Sequence, residues 1–360
     1  MADDSTRQHG MRELMGRRNV RIWIAVAAGV VVIAALGGLA VYKRPGGDCT
    51  VERLALPSPD AYSVVFAMEP GGRHIVGRTG SIGRTGSVDL DLLIWTDGRP
   101  RLVDLPGESQ LPHDVNAAGV VVGSTVFGAM GGPQEIRAWV YRDGAVAILP
   151  GTRGTEAFAV SDDGTVVGTV EGRPVLWDPS ANKPSSLRMP EAGWKGKAID
   201  ISADGQTIVG QLTPDVKSRP YVWSADGTPR ELPLPTIDGE TAMTASAKSI
   251  TGEWVAGLAT SRHDDGGVPV RWNLRTGEVR VFPKYGLVGA SVSTDGRITA
   301  KGDGGRAVVL GGRNTLTLRR LDDNTGLHDT TYGISYDGRT IAGNAASARS
   351  GTAPVVWHCT

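Results

Sequence analysis

The sequence is short of the residues that announce most chemistries. Its 38 lysines and arginines balance 38 aspartates and glutamates, so no global charge draws it to nucleic acid or to an acidic polymer. Of six histidines, none pair at metal-ligand spacing and none fall into an evident catalytic triad. No segment ends in the Gly-Lys-Thr of a nucleotide loop, and no Asp-rich segment has EF-hand spacing. No metal or cofactor is expected. Helix-forming runs of leucine, glutamate and lysine are also scarce, whereas 50 of 360 residues are glycine, a mixture that suits short strands and tight turns. The body is expected to be all-β.

One segment departs from that composition. Residues 22–42, "IWIAVAAGVVVIAALGGLAVY", carry no charge over roughly the twenty residues that a helix needs to cross about 30 Å of hydrocarbon. A transmembrane signal-anchor is expected there, after a cytoplasmic tail at 1–21 and before a short linker at 43–48. Arg7, Arg12, Arg17, Arg18 and Arg21 precede the segment and only Lys43 and Arg44 follow it closely, so the positive-inside rule keeps the N-terminus in the cytoplasm and places the body outside. A cleaved signal peptide is the competing reading, although its apolar core would be unusually long. No lipobox precedes Cys49. An extracytoplasmic body permits its two cysteines to form a disulfide.

From residue 49 onward the sequence repeats. "AIDISADGQTIVG" with "RPYVWSADGTPRELPLP" has relatives in "PHDVNAAGVVVG" with "RAWVYRDGAVAILPG", "AFAVSDDGTVVG" with "RPVLWDP", and "YGISYDGRTIAG" with "APVVW". Three looser copies bring the count to seven. Gly77, Gly123, Gly168, Gly210, Gly257, Ala300 and Gly343 mark one repeat position at a spacing in the forties, the period of four-stranded propeller blades. Asp-Gly pairs at 163, 204, 295 and 337 mark the first hairpin of a unit, and those at 97, 143 and 226 the last, where two-residue turns need positive φ. Units five and six depart most from the pattern. Lys248 stands where Val160, Ile201 and Ile334 are apolar, and Leu310 replaces a tryptophan, so irregular blades are expected there.

The seventh unit ends at "VVWHCT" without a fourth strand, while residues 50–57 read as an orphan fourth strand. The N-terminal strand therefore completes the last blade. That register sets Cys359 and Cys49 at the two central positions of the missing turn, and a disulfide would replace the covalent link. Closing so long a loop could stabilise the ring by up to roughly 5–6 kcal/mol.

The unit "HDVNAAGVVVGST…RAWVYRDGAVAILPG" resembles the extracellular HAF repeat, and "SADGQTIVG" and "SYDGRTIAG" are similar to TolB-type propeller repeats. The likeness runs from Thr50 to the C-terminus. It implies a surface-exposed seven-bladed β-propeller and brings no catalytic motif with it.

Trp95, Trp177, Trp223, Trp272 and Trp357 share one blade position, with Tyr141 and Leu310 in the remaining units. A repeat stacks identical surfaces on its neighbours, so these are read as packing between blades rather than sugar platforms. Asn116, Ser161, Ser202, Ser249, Ser293 and Ser335 precede first turns and are read as bonding the turn backbone. "GRTGSIGRTGS", Gly77 to Ser87, is read as a flexible insertion.

Function is expected where the repeat breaks down, in the connections between blades. Tyr62, His113, Asp114, Glu156, Trp194, Lys195, Glu240, Tyr285, His328 and Asp329 fall there as candidate ligand-binding residues. The function expected is a membrane-tethered, non-catalytic module outside the cytoplasm, monomeric, that binds a protein or an envelope glycan. The alternative is a cell-surface glycan hydrolase or lyase using carboxylates such as Glu156, Glu240 or Asp329. A sensor reporting through the anchor is the third reading, and its short tail would require a membrane partner.

Overall fold

The computed structural model describes residues 49–360, apart from 60, 83–87, 106–108, 129–133, 263–265, 287–288 and 324, with side chains at 81–90 and 109 also outside the description. The cytoplasmic tail and the span expected at residues 22–42 lie outside the described residues. Among the described residues, no helix is long and apolar enough to cross a membrane.

The repeat folds as read: an all-β, seven-bladed propeller. Blade 4 shows the plan, with strands Lys195–Ile201, Thr207–Thr213, Arg219–Ser224 and Pro229–Glu231 paired in sequence order. Blades 1, 2, 3 and 5 repeat it, with inner strands Tyr62–Met68, Ser109–Val115, Thr155–Val160 and Thr244–Thr251. Blade 6 keeps three strands, Ile298–Lys301, Ala307–Leu310 and Leu316–Thr317, and isolated bridges replace its inner strand. Blade 5, expected to be irregular, is a regular four-stranded sheet.

Blade 7 takes Thr330–Ile334, Thr340–Ser347 and Gly351–Cys359 from the C-terminus and its outer strand, Cys49–Arg53, from the start of the body. Cys49 lies opposite Cys359 in the ladder, and the two form a disulfide across 310 residues.

The hydrophobic core is divided among the seams. Seven apolar clusters each join one pair of adjacent blades, as stacked repeats require when no blade can bury both its faces alone. Tryptophans bolt five seams. Each indole N–H donates to a backbone carbonyl of the preceding blade's outer segment: Trp95 to Ala55, Trp177 to Pro150, Trp223 to Arg188, Trp272 to Pro233 and Trp357 to Arg319, at 2.6–2.8 Å. All five rings are buried, so packing, together with a hydrogen bond that composition does not reveal, accounts for the repeat position.

Six inner strands share a β-bulge: the ladder slips by one residue at Phe66, His113, Phe158, Ile199, Lys248 and Tyr332. A bulge pushes its backbone toward the neighbouring strand. That explains the repeated glycine. A Cβ at Gly168 would lie 2.0 Å from the Glu156 carbonyl oxygen, and one at Gly210 2.1 Å from that of Lys197. Blade 6 lacks the paired inner strand, and there the position is Ala300.

Two turn expectations need correction. In the last hairpins Asp97-Gly98 and Asp143-Gly144 take positive φ at both residues, whereas at Asp226-Gly227 only the glycine does. In the first hairpins only the glycine of each Asp-Gly pair does; the aspartate instead accepts hydrogen bonds, as Asp163 does from the Ser161 hydroxyl and the Thr165 N–H. The polar turn role holds for Asn116, Ser161, Ser202, Ser293 and Ser335. Ser249 does not belong to that series. The first hairpin of blade 5 is two residues shorter, so Ala247 aligns with Ala198 opposite the repeat glycine. Lys248 therefore aligns with Ile199, Ser249 with Asp200 and Ile250 with Ile201. Residues 77–82 of the Gly-Arg-Thr tandem belong to the strand His74–Ile82 rather than to an insertion; residues 83–87 lie outside the description.

Candidate functional site

Each inner strand starts on the face where the chain arrives from the preceding blade and runs along the channel to its first hairpin. The bulge sits part-way, so its extra residue meets the channel. On the hairpin side of the bulges lies a cavity of about 490 Å³, to which all seven blades contribute residues. Pro70, Asp162, Ala203, Gly252 and Tyr336, all in first hairpins, line its mouth. The cavity therefore opens on the face opposite the inter-blade connections.

Its inner end is formed by bulge residues, among them His113, Phe158, Ile199, Lys248 and Tyr332. The His113 and Phe158 rings meet edge-on with centroids 5.3 Å apart. Behind them Lys197 pairs with Glu156 at 3.0 Å and lies 5.0 Å from the Phe158 centroid, while Arg78 lies 4.8 Å from the Phe66 centroid. Burial lowers the His113 pKa to about 4, against the opposing pull of Glu156. The ring is neutral at physiological pH, and its buried Nε2 has no hydrogen-bond partner among the described residues. Burial and then the Lys197 charge lower the pKa of Lys248.

One residue beyond the bulge, toward the mouth, comes a position that is Ala67, Asp114, Ala159, Asp200, Ser249, Ser291 and Gly333 around the seven blades. The two aspartates are pinned. Asp114 Oδ2 accepts the Val160 N–H of blade 3 at 2.9 Å. Asp200 accepts the Ile250 N–H of blade 5 at 2.7 Å and its own neighbour Ile201 N–H at 2.8 Å. Burial raises the pKa of both carboxyls. For Asp114 the Asp200 charge adds to that rise; Asp200 reaches about 7 despite its N–H donors and the Ser249 hydroxyl. Two like charges sharing a cavity cannot both ionise freely.

The sequence candidates separate into groups. His113 and Asp114 belong to an inner strand rather than a connection, and both line the cavity. Glu156 is also on an inner strand, paired with Lys197 behind the cavity's inner end. Tyr62 begins the inner strand of blade 1 and is exposed. Trp194 packs edge-on to Tyr221 at 6.5 Å, and Lys195 donates to the Glu171 carbonyl. Glu240 sits in an exposed two-residue-per-strand hairpin between blades 4 and 5. Tyr285 bonds Thr315, and His328 is exposed. Asp329 is buried, accepting the Ala346 N–H at 2.9 Å with Arg320 3.8 Å away. Among the cavity residues that sequence reasoning did not name as a site are Asp200, Phe158, Lys248, Ser291 and Tyr332. The signal for Asp200 was available, since "HDV" and "IDI" place Asp114 and Asp200 in one repeat column where the other units carry small residues.

No family model and no curated protein matches the chain. Among solved structures it is similar to the β-propeller domain of the Trilobed protease from Pyrococcus furiosus, at 10% identity over 82% of this chain and 93% of that one, with a TM-score of 0.57. Prolyl oligopeptidase B from Galerina marginata matches at 10% identity over 81% of this chain and 50% of its own, with a TM-score of 0.53; the chain thus spans half that enzyme's length. A putative TolB from Agrobacterium tumefaciens gives 13% identity over 66% of this chain and 88% of that one, at a TM-score of 0.43. The first two likenesses establish a β-propeller fold and nothing finer. The HAF-repeat resemblance rests on the repeats alone.

Proposed function

We propose that this protein is a propeller held outside the cytoplasm by a membrane anchor at residues 22–42, and that it binds an envelope glycan or protein in its axial cavity without converting it. The observation that carries the reading is the cavity: a preformed space of about 490 Å³, within the range of small-ligand sites, where a rigid scaffold presents unlike side chains at equivalent positions. Glu156, Glu240 and Asp329, the carboxylates considered for hydrolysis, occupy three separate environments.

One observation favours the alternative of a glycan hydrolase or lyase. Asp114 and Asp200 share the cavity with raised pKa values, and a protonated carboxyl beside a second one can serve acid–base chemistry. A single experiment separates the readings. The full-length chain in detergent is incubated with immobilised envelope glycan and with envelope protein extract, and retained protein and released reducing ends are both measured. Saturable retention without release, weakened at least about tenfold by Phe158→Ala, supports the binding module. Release abolished by Asp200→Asn establishes the enzyme instead.

A further inference from the structure

The two cavity aspartates are not a requirement of the scaffold. Five of the seven blades place alanine, serine or glycine at their position, and four of those, blades 1, 3, 5 and 7, form a paired inner strand without a carboxylate there. Burying two carboxyls that repel each other, with no cation paired to either, costs stability. Among the described residues no ion pair involves Asp114 or Asp200. Lys248 lines the same cavity, but the charge that shifts it is Lys197. The N–H bonds from Val160, Ile250 and Ile201 fix both carboxyls in place. Such a fixed, unpartnered pair is complementary to a positive charge supplied from outside.

Three further features lie around the pair. His113 Nε2 is a buried polar atom without a partner, on a residue that lines the cavity; being neutral, it can bond a hydroxyl without repelling a cation. Ser249 and Ser291 flank the aspartate level, and Asp162 stands at the mouth. Phe158 and Tyr332 also line the cavity, and aromatic rings are surfaces on which a sugar ring can stack. Hydroxyls and carboxyls distributed around an aromatic floor fit a polyhydroxylated ring better than an alkyl chain.

From this arrangement we infer that the cavity binds an amino sugar through its free ammonium group, held between Asp114 and Asp200, with the ring hydroxyls directed to Ser249, Ser291 and His113. The inference rests on the binding-module reading and names its ligand class.

The test is isothermal titration of the full-length chain in detergent at neutral pH with four probes: glucosamine, N-acetylglucosamine, glucose and Nα-acetyl-lysine methylamide. Glucosamine is expected to bind at least about tenfold more tightly than either neutral sugar. Asp114→Asn, which keeps an oxygen for the Val160 N–H, and Asp200→Asn, which keeps one for the Ile250 N–H but gives up the second acceptor that takes the Ile201 N–H, should each abolish that preference while remaining folded with a cooperative melt. Titrations in buffers of different ionisation enthalpy should show protons released on binding, a readout independent of any variant. Equal affinity for the neutral sugars overturns the ammonium assignment, and tighter binding of the lysine derivative overturns the amino sugar. Retention on envelope glycan or protein without affinity for any amine sinks this inference and leaves the proposed function standing; loss of retention on both sinks the proposed function.

Discussion

At the scale of single residues, Asp114 and Asp200 carry an ionisable carboxyl where their counterparts in the other blades are alanine, serine or glycine, and that carboxyl makes stability depend on pH. A carboxyl whose pKa is higher in the folded than in the unfolded protein holds its proton longer when folded, so its contribution is greatest below the unfolded pKa and is lost as pH rises through the folded one. For Asp200 the window runs from about 4 to about 7. The parent should therefore lose stability relative to Asp200→Asn across that interval, by roughly 1–3 kcal/mol once solvent reaching the open cavity is allowed for. Urea titrations of both proteins at a series of pH values measure it; parallel curves would show that the carboxyl is not shifted. Asp114 was singled out in the sequence and Asp200 was not, although "HDV" and "IDI" place both in one repeat column. Lys248 and Ser249 were not, because two residues missing from one hairpin displace the apparent register and nothing local marks the deletion.

At the scale of elements, the blade is shaped by the bulge and sealed by the tryptophan. The glycine column was visible as a repeat, but its cause lies in another strand, where the carbonyl two residues before the bulge occupies the space a Cβ would need. The tryptophan column was read correctly as packing, yet its hydrogen bond joins residues 27 to 40 apart in sequence across a seam. Trp223→Phe should preserve much of the ring's packing while leaving the Arg188 carbonyl without its indole donor. A loss of about 1–3 kcal/mol is expected, measured by denaturant unfolding. Tyr141, in the same column but outside the bonded set, serves as the comparison, and Tyr141→Phe should cost less than Trp223→Phe. Equal losses would mean that the indole N–H contributes nothing.

At the scale of the whole molecule, closure is the decisive feature. The strand Cys49–Arg53 zips onto Gly351–Cys359 over five residue pairs, Leu54 donates to the Pro354 carbonyl, and Trp95 reaches back to Ala55. The disulfide adds covalent closure of 310 residues. Replacing both cysteines by serine should leave the ring folded, since the strand pairing remains, but lower its unfolding free energy by about 2–5 kcal/mol. The shift of the denaturant midpoint between the oxidised parent and the double variant measures this, and coincident midpoints would show that the strand pairing closes the ring unaided.

The sequence by itself determined the blade count, the strand that closes the ring and the cysteine pair, because a repeat records its register in every copy and each hairpin is a local structure. Only the tertiary structure decided which side chains converge around a cavity. The candidate residues were sought in the irregular connections, whereas the cavity opens on the opposite face and is built from bulge residues and their neighbours in six regular inner strands. The reason is geometric: which side chains converge on an axis depends on the rotation from blade to blade and on the one-residue slip within each inner strand, and neither is a property of any segment read alone.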